Sequence, residues 1–366
     1  MKKKKILFII DSLGGGGAEK VLIDLLENID RDKFDVNLVV LAKIGQLIDK
    51  VPKDVKVKFV FPSKVIYYAI MFLPPKFLYK LFIKEEYDVE VSFLEGRCTK
   101  FGSGSPNKKS RKIAWVHIDL INNHWSKPYF RKLQQEIDCY NKFDKIVCVS
   151  NEVKDAFVKM FGIKDKVVFK QNIINDGLIK EKANANVDLS MMDKSVPALV
   201  TIGRLNHQKG YDRLLRVVKR LNDDNLKFNL YILGEGGERK TLESYIEENN
   251  LNNVNLLGFN SNPYPYLKNA DLFVCSSRSE GFSTVISESI ILNVPIITTD
   301  CAGMKEQLGD SKYGLIVEND ENALYEGMKA ILTDESLYEK YKESVKARSE
   351  IFNMNMLLSQ IQELFL

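Results

Sequence analysis

Two glutamates, Glu280 and Glu288, are the residues whose spacing most clearly suggests chemistry. The apolar run 271–275 before them predicts a buried strand, and the run 283–292 predicts a helix that Ser283 would cap. Glu280 would then lie in the turn that faces the helix N-terminus, where unpaired N–H groups and the positive end of the helix dipole attract phosphate. Glu288 would follow within the helix, at most about 12 Å away. Taken alone, such a pair is more often two solvated glutamates beside a buried helix.

Cations and glycines are expected beside this turn. Arg204 and Lys209 follow the predicted strand 198–202 in the segment GRLNHQKG, and a glycine-rich turn at 234–237 follows the next predicted strand. In a normally wound parallel sheet these strand ends lie close to the Glu280 turn. Two fixed cations at a crevice lined by glycines are typical of a pyrophosphate site. The same cations scattered over a surface would carry no such meaning.

The elements that must position these residues repeat along the chain. Predicted strands and helices alternate at the spacing of parallel βαβ units in the first half, and the alternation restarts at residue 198. Segment 181–196 is polar and has no period, which predicts a linker. The sequence therefore predicts an α/β protein with two Rossmann-like, doubly wound parallel-sheet domains, 1–180 and 197–350, that face each other across a cleft.

A glycine loop also follows the first predicted strand, 6–10. Gly14–Gly17 lie between this strand and a predicted helix over 18–28, which together make half of a Rossmann unit. The dinucleotide fingerprint needs a glycine where the chain has Glu19, and an acid after the second strand where it has Lys43, so NAD binding is disfavoured. What remains is a loop whose bare backbone can approach a ligand closely.

A histidine ends another predicted strand of the first half. The run IAWVHID, residues 113–119, carries His117 and Asp119. A single histidine is more often a structural residue than a functional one, but the carboxyl end of a parallel strand is where such sheets present ligand-binding residues. The sequence leaves both interpretations of His117 open.

Composition excludes several classes of protein. The 366 residues are 45% hydrophobic and 28% charged with a net charge of +4, values of an ordinary soluble chain with room for two cores. Basic residues interleave with acids, so nucleic acid is not an expected partner. The five cysteines form no CxxC motif, which favours reduced thiols in a cytoplasmic protein. The N-terminal apolar stretch is too short for a signal peptide, and no run reaches the roughly 20 apolar residues that span a bilayer.

Segment 62–84 mixes aromatic and aliphatic residues with Lys64, Lys76, Lys80 and Lys84. Such a segment can lie on an anionic membrane surface, or it can be a pair of core helices with a basic edge, and the sequence does not decide between them. If it binds lipid, the protein would act at the inner face of the cell membrane.

The motifs together resemble the family 4 retaining glycosyltransferases of the two-Rossmann-domain GT-B class, especially bacterial members that build capsule, lipopolysaccharide or teichoic-type surface glycans. The resemblance covers essentially the whole chain, and although each motif alone is weak, the ordered set is highly specific. The motifs are GGGGAE at 14–19, WVHID at 115–119, GRLNHQKG at 203–210, GEG at 234–236 and EGFSTVISE at 280–288.

The resemblance implies a role for each matching residue. Arg204 and Lys209 would hold the donor diphosphate and stabilise charge on the leaving nucleotide. Glu288 would bind ribose hydroxyls, Glu280 would hold the transferred sugar, and His117 would touch that sugar near the reacting carbon. The expected catalytic residues are then His117, Glu280, Arg204 and Lys209, and the expected donor-binding residues are Gly16, Gly17, Gly203, Arg204, Lys209, Gly234, Glu280, Gly281, Phe282, Ser283 and Glu288.

The resemblance also implies the reaction and its partners. A hexose or N-acetylhexosamine would move from a nucleotide sugar, preferably a UDP-sugar, to a saccharide acceptor on a lipid such as undecaprenyl diphosphate. The N-terminal domain would bind the acceptor, the C-terminal domain the donor, and the C-terminal helix, within 351–366, would return to the N-terminal domain. We expect no cofactor and no metal, because Arg204, Lys209 and the helix N-terminus would take over the charge-neutralising role of a cation.

Two other functions remain open at this stage. A nucleotide-sugar 2-epimerase shares the architecture but would need more acid and base residues near the sugar than His117, His124 and His207 offer. A catalytically silent, nucleotide-sugar-binding partner of another transferase would retain the same donor residues.

Overall fold

The structure, a computed structural model, describes residues 2–61, 73–193, 195–350 and 353–366. The chain divides into two compact units. Unit 1 comprises Met1–Ile173 together with Met354–Leu366, and unit 2 comprises Ile174–Asn353.

Unit 1 is built on a parallel sheet of seven described strands in the order β3-β2-β1-β4-β5-β6-β7. The strands are β1 Lys4–Ile10, β2 Phe34–Ala42, β3 Lys56–Phe61, β4 Val89–Ser92, β5 Arg111–Val116, β6 Lys145–Cys148 and β7 Val167–Phe169. The helices described in this unit are α1 Gly17–Asn28, α2 Pro75–Phe82, α3 Arg97–Gly102, α4 Leu133–Tyr140 and α5 Asn151–Phe161.

The inner strands of unit 1 are buried on both faces, as a parallel sheet between helices requires, whereas the edge strand β3 is exposed over its first half. In β1, Leu7 and Ile9 join the cluster that packs under α2 and α3. Phe8 faces the other side, where its ring meets the ring of Phe365 with centroids 5.7 Å apart. Phe365 also packs on Phe34 at 6.0 Å.

Phe365 belongs to the C-terminal segment, which forms a helix, α14, over Met354–Gln362 and a short 3-10 turn over Glu363–Phe365. The expectation that this helix returns to the N-terminal domain is confirmed, because Met354–Leu366 belong to unit 1. Gln362 Oε1 accepts a hydrogen bond of 2.8 Å from the backbone N–H of Asp30, just after α1.

Unit 2 contains a second parallel sheet, of six described strands in the order β10-β9-β8-β11-β12-β13. The strands are β8 Ala198–Ile202, β9 Asn229–Leu233, β10 Val254–Gly258, β11 Leu272–Cys275, β12 Ile296–Thr299 and β13 Leu315–Val317. The described helices are α6 Asp176–Ala183, α7 Tyr211–Asp223, α8 Arg239–Glu248, α9 Tyr264–Lys268, α10 Thr284–Ile291, α11 Met304–Leu308, α12 Glu321–Thr333 and α13 Glu335–Ser349.

Two parallel sheets with helices on both faces confirm the predicted α/β class. The predicted linker needs correction, because residues 181–183 belong to helix α6 and the division between the units falls at Ile173, before the predicted end of the first domain at 180. Helix α6 starts here because the side chain of Asn175 accepts a hydrogen bond of 2.9 Å from the N–H of Leu178, an N-cap. The short helix buries only Ile179 and Ala183, which explains why its sequence shows no clear period.

Segment 62–84 is described only from residue 73 onward, so its first part, 62–72, lies outside the described residues. Within α2, Leu78 and Tyr79 are buried while Phe77 and Leu81 are about half exposed beside Lys76, Lys80 and Lys84. In the described ranges, no helix has the length and apolar character that crossing a bilayer requires. The five cysteines all lie in described segments, where each is buried with a free thiol.

Candidate active site

The carboxyl ends of three neighbouring strands of unit 2 bring predicted site residues together. Strand β8 lies between β9 and β11, so the segments after these strands meet at one edge of the sheet. Gly234, after β9, has a φ of +154°, and a Cβ there would lie 1.8 Å from the carbonyl oxygen of Gly203, after β8. Only glycine at 234 permits this backbone contact, whereas a Cβ on Gly203 would lie 3.0 Å from the Tyr211 hydroxyl oxygen.

Lys209 and Glu280 form an ion pair at this edge. The Lys209 Nζ atom lies 2.6 Å from Glu280 Oε1, with side-chain exposures of 20% and 9%. The same oxygen accepts a 2.6 Å hydrogen bond from the Ser277 hydroxyl. Lys209 ends a short 3-10 turn, His207–Lys209, in which its backbone N–H is bonded to the Asn206 side chain at 3.2 Å. Lys209, one of the two predicted cations, and Glu280, one of the two predicted carboxylates, are therefore in direct contact.

The pair determines the electrostatics of the site. Burial alone would lower the pKa of Lys209, but the adjacent Glu280 carboxylate outweighs it, so that the pKa of Lys209 lies above its ordinary value. A void beside Lys209 is lined by Ser277, Ser283 and Val285. Lys209 and the start of α10 thus border the same space, where a charged ammonium and unpaired helix N–H groups suit an oxyanion.

Glu280 leads into helix α10 through Gly281, Phe282 and Ser283, all of which are buried. Ser283 occupies the predicted N-cap position, but its side chain makes no capping hydrogen bond. The loop packs closely against the backbone at Gly303, where φ is +80°. A Cβ on Gly303 would lie 2.5 Å from the Gly281 carbonyl oxygen. This packing fixes the turn that carries Glu280.

Glu288 follows the Glu280 turn within α10 and is only 3% exposed. Its Oε1 atom accepts a hydrogen bond of 3.3 Å from the hydroxyl of Tyr264. The prediction that Glu288 is placed inside the helix that follows the Glu280 turn is therefore correct, although the residue is buried rather than solvated. Arg204, by contrast, is exposed and follows directly after β8 and Gly203.

In unit 1, the glycine loop starts helix α1. Gly16 is buried and holds the N-cap position, and the helix begins at Gly17. At the start of this loop, burial raises the pKa of the Asp11 carboxyl to about 6, although the Arg97 guanidinium, 3.4 Å away, opposes that rise. The loop of unit 1 is thus preceded by a buried acid.

His117 follows directly after β5, which ends at Val116, so the predicted strand 113–119 is shorter than expected and His117 lies at its carboxyl end. Burial lowers the pKa of His117 to about 3, with a hydrogen bond to the backbone of Phe93 acting in the opposite direction. The Nε2 atom is buried and has no hydrogen-bond partner among the described residues. The ring is therefore neutral at ordinary pH, with an open acceptor position at Nε2 if Nδ1 bonds Phe93.

A residue that the sequence analysis missed, Glu95, holds the backbone beside His117. Glu95 lies after β4, is 1% exposed, and accepts a hydrogen bond from the backbone N–H of His117. Burial raises the pKa of Glu95 to about 7 despite backbone hydrogen bonds from His117 and Ile118. Its position after an apolar strand, before Gly96, was the available signal.

The described residues contain no group of three or more histidines, cysteines, aspartates or glutamates placed to hold a metal ion. The sole D-x-D motif, Asp30 and Asp32, lies between α1 and β2, where Asp30 pairs with Lys33 at 3.0 Å. That loop is at the amino end of β2, away from the strand ends that carry His117.

Two parallel-sheet units, each with chemically distinctive residues at the carboxyl ends of its strands, have the two-domain architecture of the GT-B class. Sequence profiles agree with this. Residues 15–176 match the profile described as Glycosyltransferase Family 4, and residues 191–348 match the profile described as Glycosyl transferases group 1. The chain belongs to the family 4 glycosyltransferases.

Two curated relatives from Campylobacter jejuni subsp. jejuni serotype O:2 match nearly the whole chain. One is N-acetylgalactosamine-N,N'-diacetylbacillosaminyl-diphospho-undecaprenol 4-alpha-N-acetylgalactosaminyltransferase, 30% identical over 96% of each chain. The other is GalNAc-alpha-(1->4)-GalNAc-alpha-(1->3)-diNAcBac-PP-undecaprenol alpha-1,4-N-acetyl-D-galactosaminyltransferase, 27% identical over 96% of this chain and 95% of that enzyme.

Among solved structures, HepE of Anabaena in complex with UDP and glucose superimposes with a TM-score of 0.78, at 19% identity and 98% coverage of both chains. Sucrose-phosphate synthase from Thermosynechococcus elongatus superimposes with a TM-score of 0.80, at 16% identity, covering 99% of this chain and 98% of that one. At this level of identity the similarity establishes the fold. Both profiles describe glycosyltransferases, and both Campylobacter relatives are glycosyltransferases. The epimerase alternative is therefore not favoured.

Proposed function

We propose that this chain transfers an N-acetylhexosamine or hexose from a UDP-sugar to a saccharide linked to a polyprenyl diphosphate, with retention of configuration, in the assembly of a bacterial surface glycan. The observation that carries the proposal is the Lys209–Glu280 pair beside the start of α10. The substrate classes are supported by the names of the Campylobacter relatives, which act on diphospho-undecaprenol-linked saccharides.

In this mechanism unit 2 holds the donor. Lys209 and Arg204 neutralise the diphosphate, whose negative charge grows as the bond to the sugar breaks. Glu280, oriented by Lys209 and Ser277, accepts hydrogen bonds from sugar hydroxyls, and Glu288 accepts them from the ribose. The start of α10, with Gly281–Ser283, supplies N–H donors to phosphate oxygens.

His117 of unit 1 contributes a neutral acceptor. With a pKa of about 3, the ring is uncharged, which suits Nε2 to accept a hydrogen bond from a sugar hydroxyl. The acceptor saccharide attacks from the face the nucleotide leaves, with the donor phosphate receiving its proton. This route retains the configuration at the anomeric carbon and needs no side-chain nucleophile.

We propose further that the reaction needs no metal ion, because Lys209, Arg204 and the helix N-terminus provide positive charge at the diphosphate.

The test of the proposed function is release of nucleotide by the purified protein from UDP-, GDP- and ADP-sugars, in EDTA. Slow release from one UDP-sugar is expected. Lys209→Ala and Glu288→Ala should lose this release, whereas Lys219→Ala, on the exposed side of α7, should retain it. Activity lost in EDTA and restored by Mg²⁺ or Mn²⁺ would refute metal independence. Binding of a nucleotide sugar, without release of nucleotide from any donor in the presence of any acceptor tried, would favour the silent partner.

We also propose that α2 touches an anionic membrane surface, where a lipid-linked acceptor would be located. Its exposed residues Phe77, Leu81, Lys76 and Lys80 are followed, just after the helix, by the exposed Lys84. Reversing the charge of these three lysines should reduce sedimentation with vesicles containing anionic phospholipid, whereas neutral vesicles should bind neither protein. Equal sedimentation of the variant and the unmodified protein would remove this part of the proposal.

A further inference from the structure

Helix α7 carries an arginine on its buried face. Arg213 is 5% exposed among Leu214, Val217 and other apolar residues of the helix. Burial lowers the pKa of its guanidinium, and in the described part of the chain no carboxylate forms an ion pair with it. A buried cation without an acidic partner is costly unless its hydrogen bonds are satisfied, so its partners indicate what it does.

Two partners of Arg213 are backbone oxygens of the loop that carries Glu280, and the others belong to Thr299 and Asn319. Nε donates to the Ser276 carbonyl at 2.9 Å, and Nη2 donates to the Ser277 carbonyl at 2.6 Å. Nη2 also donates to the Asn319 side chain at 2.7 Å, and Asn319 in turn donates to the Arg278 carbonyl at 3.0 Å. The planar guanidinium thus fixes two successive carbonyls of one loop.

Ser276 and Ser277 each donate a hydrogen bond to one member of the predicted catalytic pair, Lys209 and Glu280. The Ser276 hydroxyl donates to the backbone carbonyl of Lys209 at 2.9 Å. The Ser277 hydroxyl donates to Glu280 Oε1 at 2.6 Å, the oxygen that Lys209 also contacts. Arg213 is therefore one residue removed from each member of the ion pair.

The turn before α7 is shaped to allow this arrangement. Gly210 has a φ of +67°, and a Cβ there would lie 2.2 Å from the Ser276 carbonyl oxygen and 2.9 Å from Arg213 Nε. A side chain at this position would separate the helix from the loop. The glycine lets the Lys209 turn, Arg213 and the loop meet at backbone distance.

We infer that Arg213 is a positioning residue for catalysis, which acts through Ser276 and Ser277 to hold Lys209 and Glu280 in register. The inference rests on the proposed function for its kinetic consequence, but the geometry it explains does not depend on that function. Arg213 would influence the chemical step and diphosphate binding more than nucleoside binding, because Glu288, assigned to the ribose, is held separately within α10.

The kinetic test compares Arg213→Met with Arg216→Met, which removes an arginine of the same helix that pairs with Asp212 and Glu321 instead of the loop. Arg213→Met should lower kcat for nucleotide release about 100-fold, since a displacement of about 1 Å in a catalytic group has that effect. The Kd for uridine, which lacks the diphosphate, should change less than about threefold. Arg216→Met should retain both values.

A second measurement needs no activity. Lys209, held by Glu280, should react slowly with an amine-acetylating reagent at pH 8, and mass spectrometry of the peptide should reveal several-fold faster acetylation in Arg213→Met. Arg213→Lys, which keeps the charge but only one donor atom, should give intermediate kcat and intermediate labelling, and it provides the test if the methionine variant does not fold.

Unchanged Lys209 labelling in folded Arg213→Met or Arg213→Lys, or kcat within about twofold of the unmodified protein, would overturn the inference. A parallel loss of kcat and of uridine affinity in Arg213→Lys would also overturn it, since this indicates general damage to unit 2. If the unmodified protein releases no nucleotide, the proposed function fails, and the labelling comparison still decides the structural role of Arg213.

Discussion

The two strand-end clusters of this protein solve the problem of buried polar groups in opposite ways. In unit 2, Lys209 and Glu280 are in contact, and Ser277 completes the hydrogen bonding of the shared oxygen. In unit 1, Glu95 and His117 each have a buried side-chain atom, Oε2 and Nε2, without a hydrogen-bond partner among the described residues. Opposite charges stabilise one cluster, whereas desolvation dominates the other.

The difference appears in the direction of the pKa shifts. The pKa of Lys209 is raised by Glu280 even though burial acts against it, so its positive charge is maintained. In unit 1, burial raises the pKa of Glu95 to about 7 and lowers that of His117 to about 3, which favours the uncharged form of both. A charged cluster suits a diphosphate and an uncharged one suits sugar hydroxyls, which agrees with the roles proposed for the two units.

The largest effect is expected where a charge is left alone. Lys209→Met should cost about 3–5 kcal/mol of unfolding free energy, because it strands the buried Glu280 carboxylate. Adding Glu280→Gln should restore most of that stability without restoring nucleotide release. Far-UV circular dichroism during urea unfolding measures the change, and tryptophan fluorescence serves as an internal reference, because Trp115 and Trp125 both lie in unit 1.

A surface ion pair provides the matched control for this experiment. Lys219 pairs with Asp223 at 2.8 Å on the exposed side of α7, and Lys219→Met should change stability by no more than about 1 kcal/mol. Equal stability of the single Lys209 variant and the double variant would mean that the Glu280 charge is not the source of the cost, and the contrast between the two clusters would then fail.

The sequence predicted the clusters where their residues follow strand periodicity. Strand 198–202 has the predicted bounds, and the order of the sheet places the segment after β8 beside the Glu280 turn, as expected for a normally wound sheet. The glycines at 203 and 234 were recognised for the same reason, since a strand end followed by glycine marks a close backbone approach.

Residues whose importance depends on burial could not be predicted in this way. Arg213 lies in the sequence RLLRVVKRL, where nothing distinguishes it from Arg216 or Arg220, and only the sharp turn at Gly210 rotates it toward the loop. Glu95 looks like an ordinary loop acid, because its burial depends on the packing of β4, β5 and α4 around it. Helix α6 was missed because capping by Asn175, and not amphipathic period, determines where it starts.

A smaller effect, of opposite sign, is expected in unit 1. In the folded protein Glu95 has a pKa raised to about 7 from its ordinary value of 4.5. Its contribution to stability is therefore complete below pH 4.5 and is lost as the pH rises to about 7, because the unfolded chain ionises first. Glu95→Gln keeps an acceptor for the His117 N–H but cannot ionise. Relative to the unmodified protein, it should gain about 2–3 kcal/mol between pH 4.5 and pH 8.

Urea unfolding followed by tryptophan fluorescence measures this gain, since both tryptophans report on unit 1. Glu86→Gln, at an exposed position in the same unit, is the control and should give a pH-independent difference. A difference for Glu95→Gln that also stays constant with pH would mean that burial does not raise the pKa of Glu95, and the contrast between the two clusters would fail. A difference that grows with pH, together with a loss after Lys209→Met, would establish that one cluster stores the cost of burial and the other offsets it by pairing.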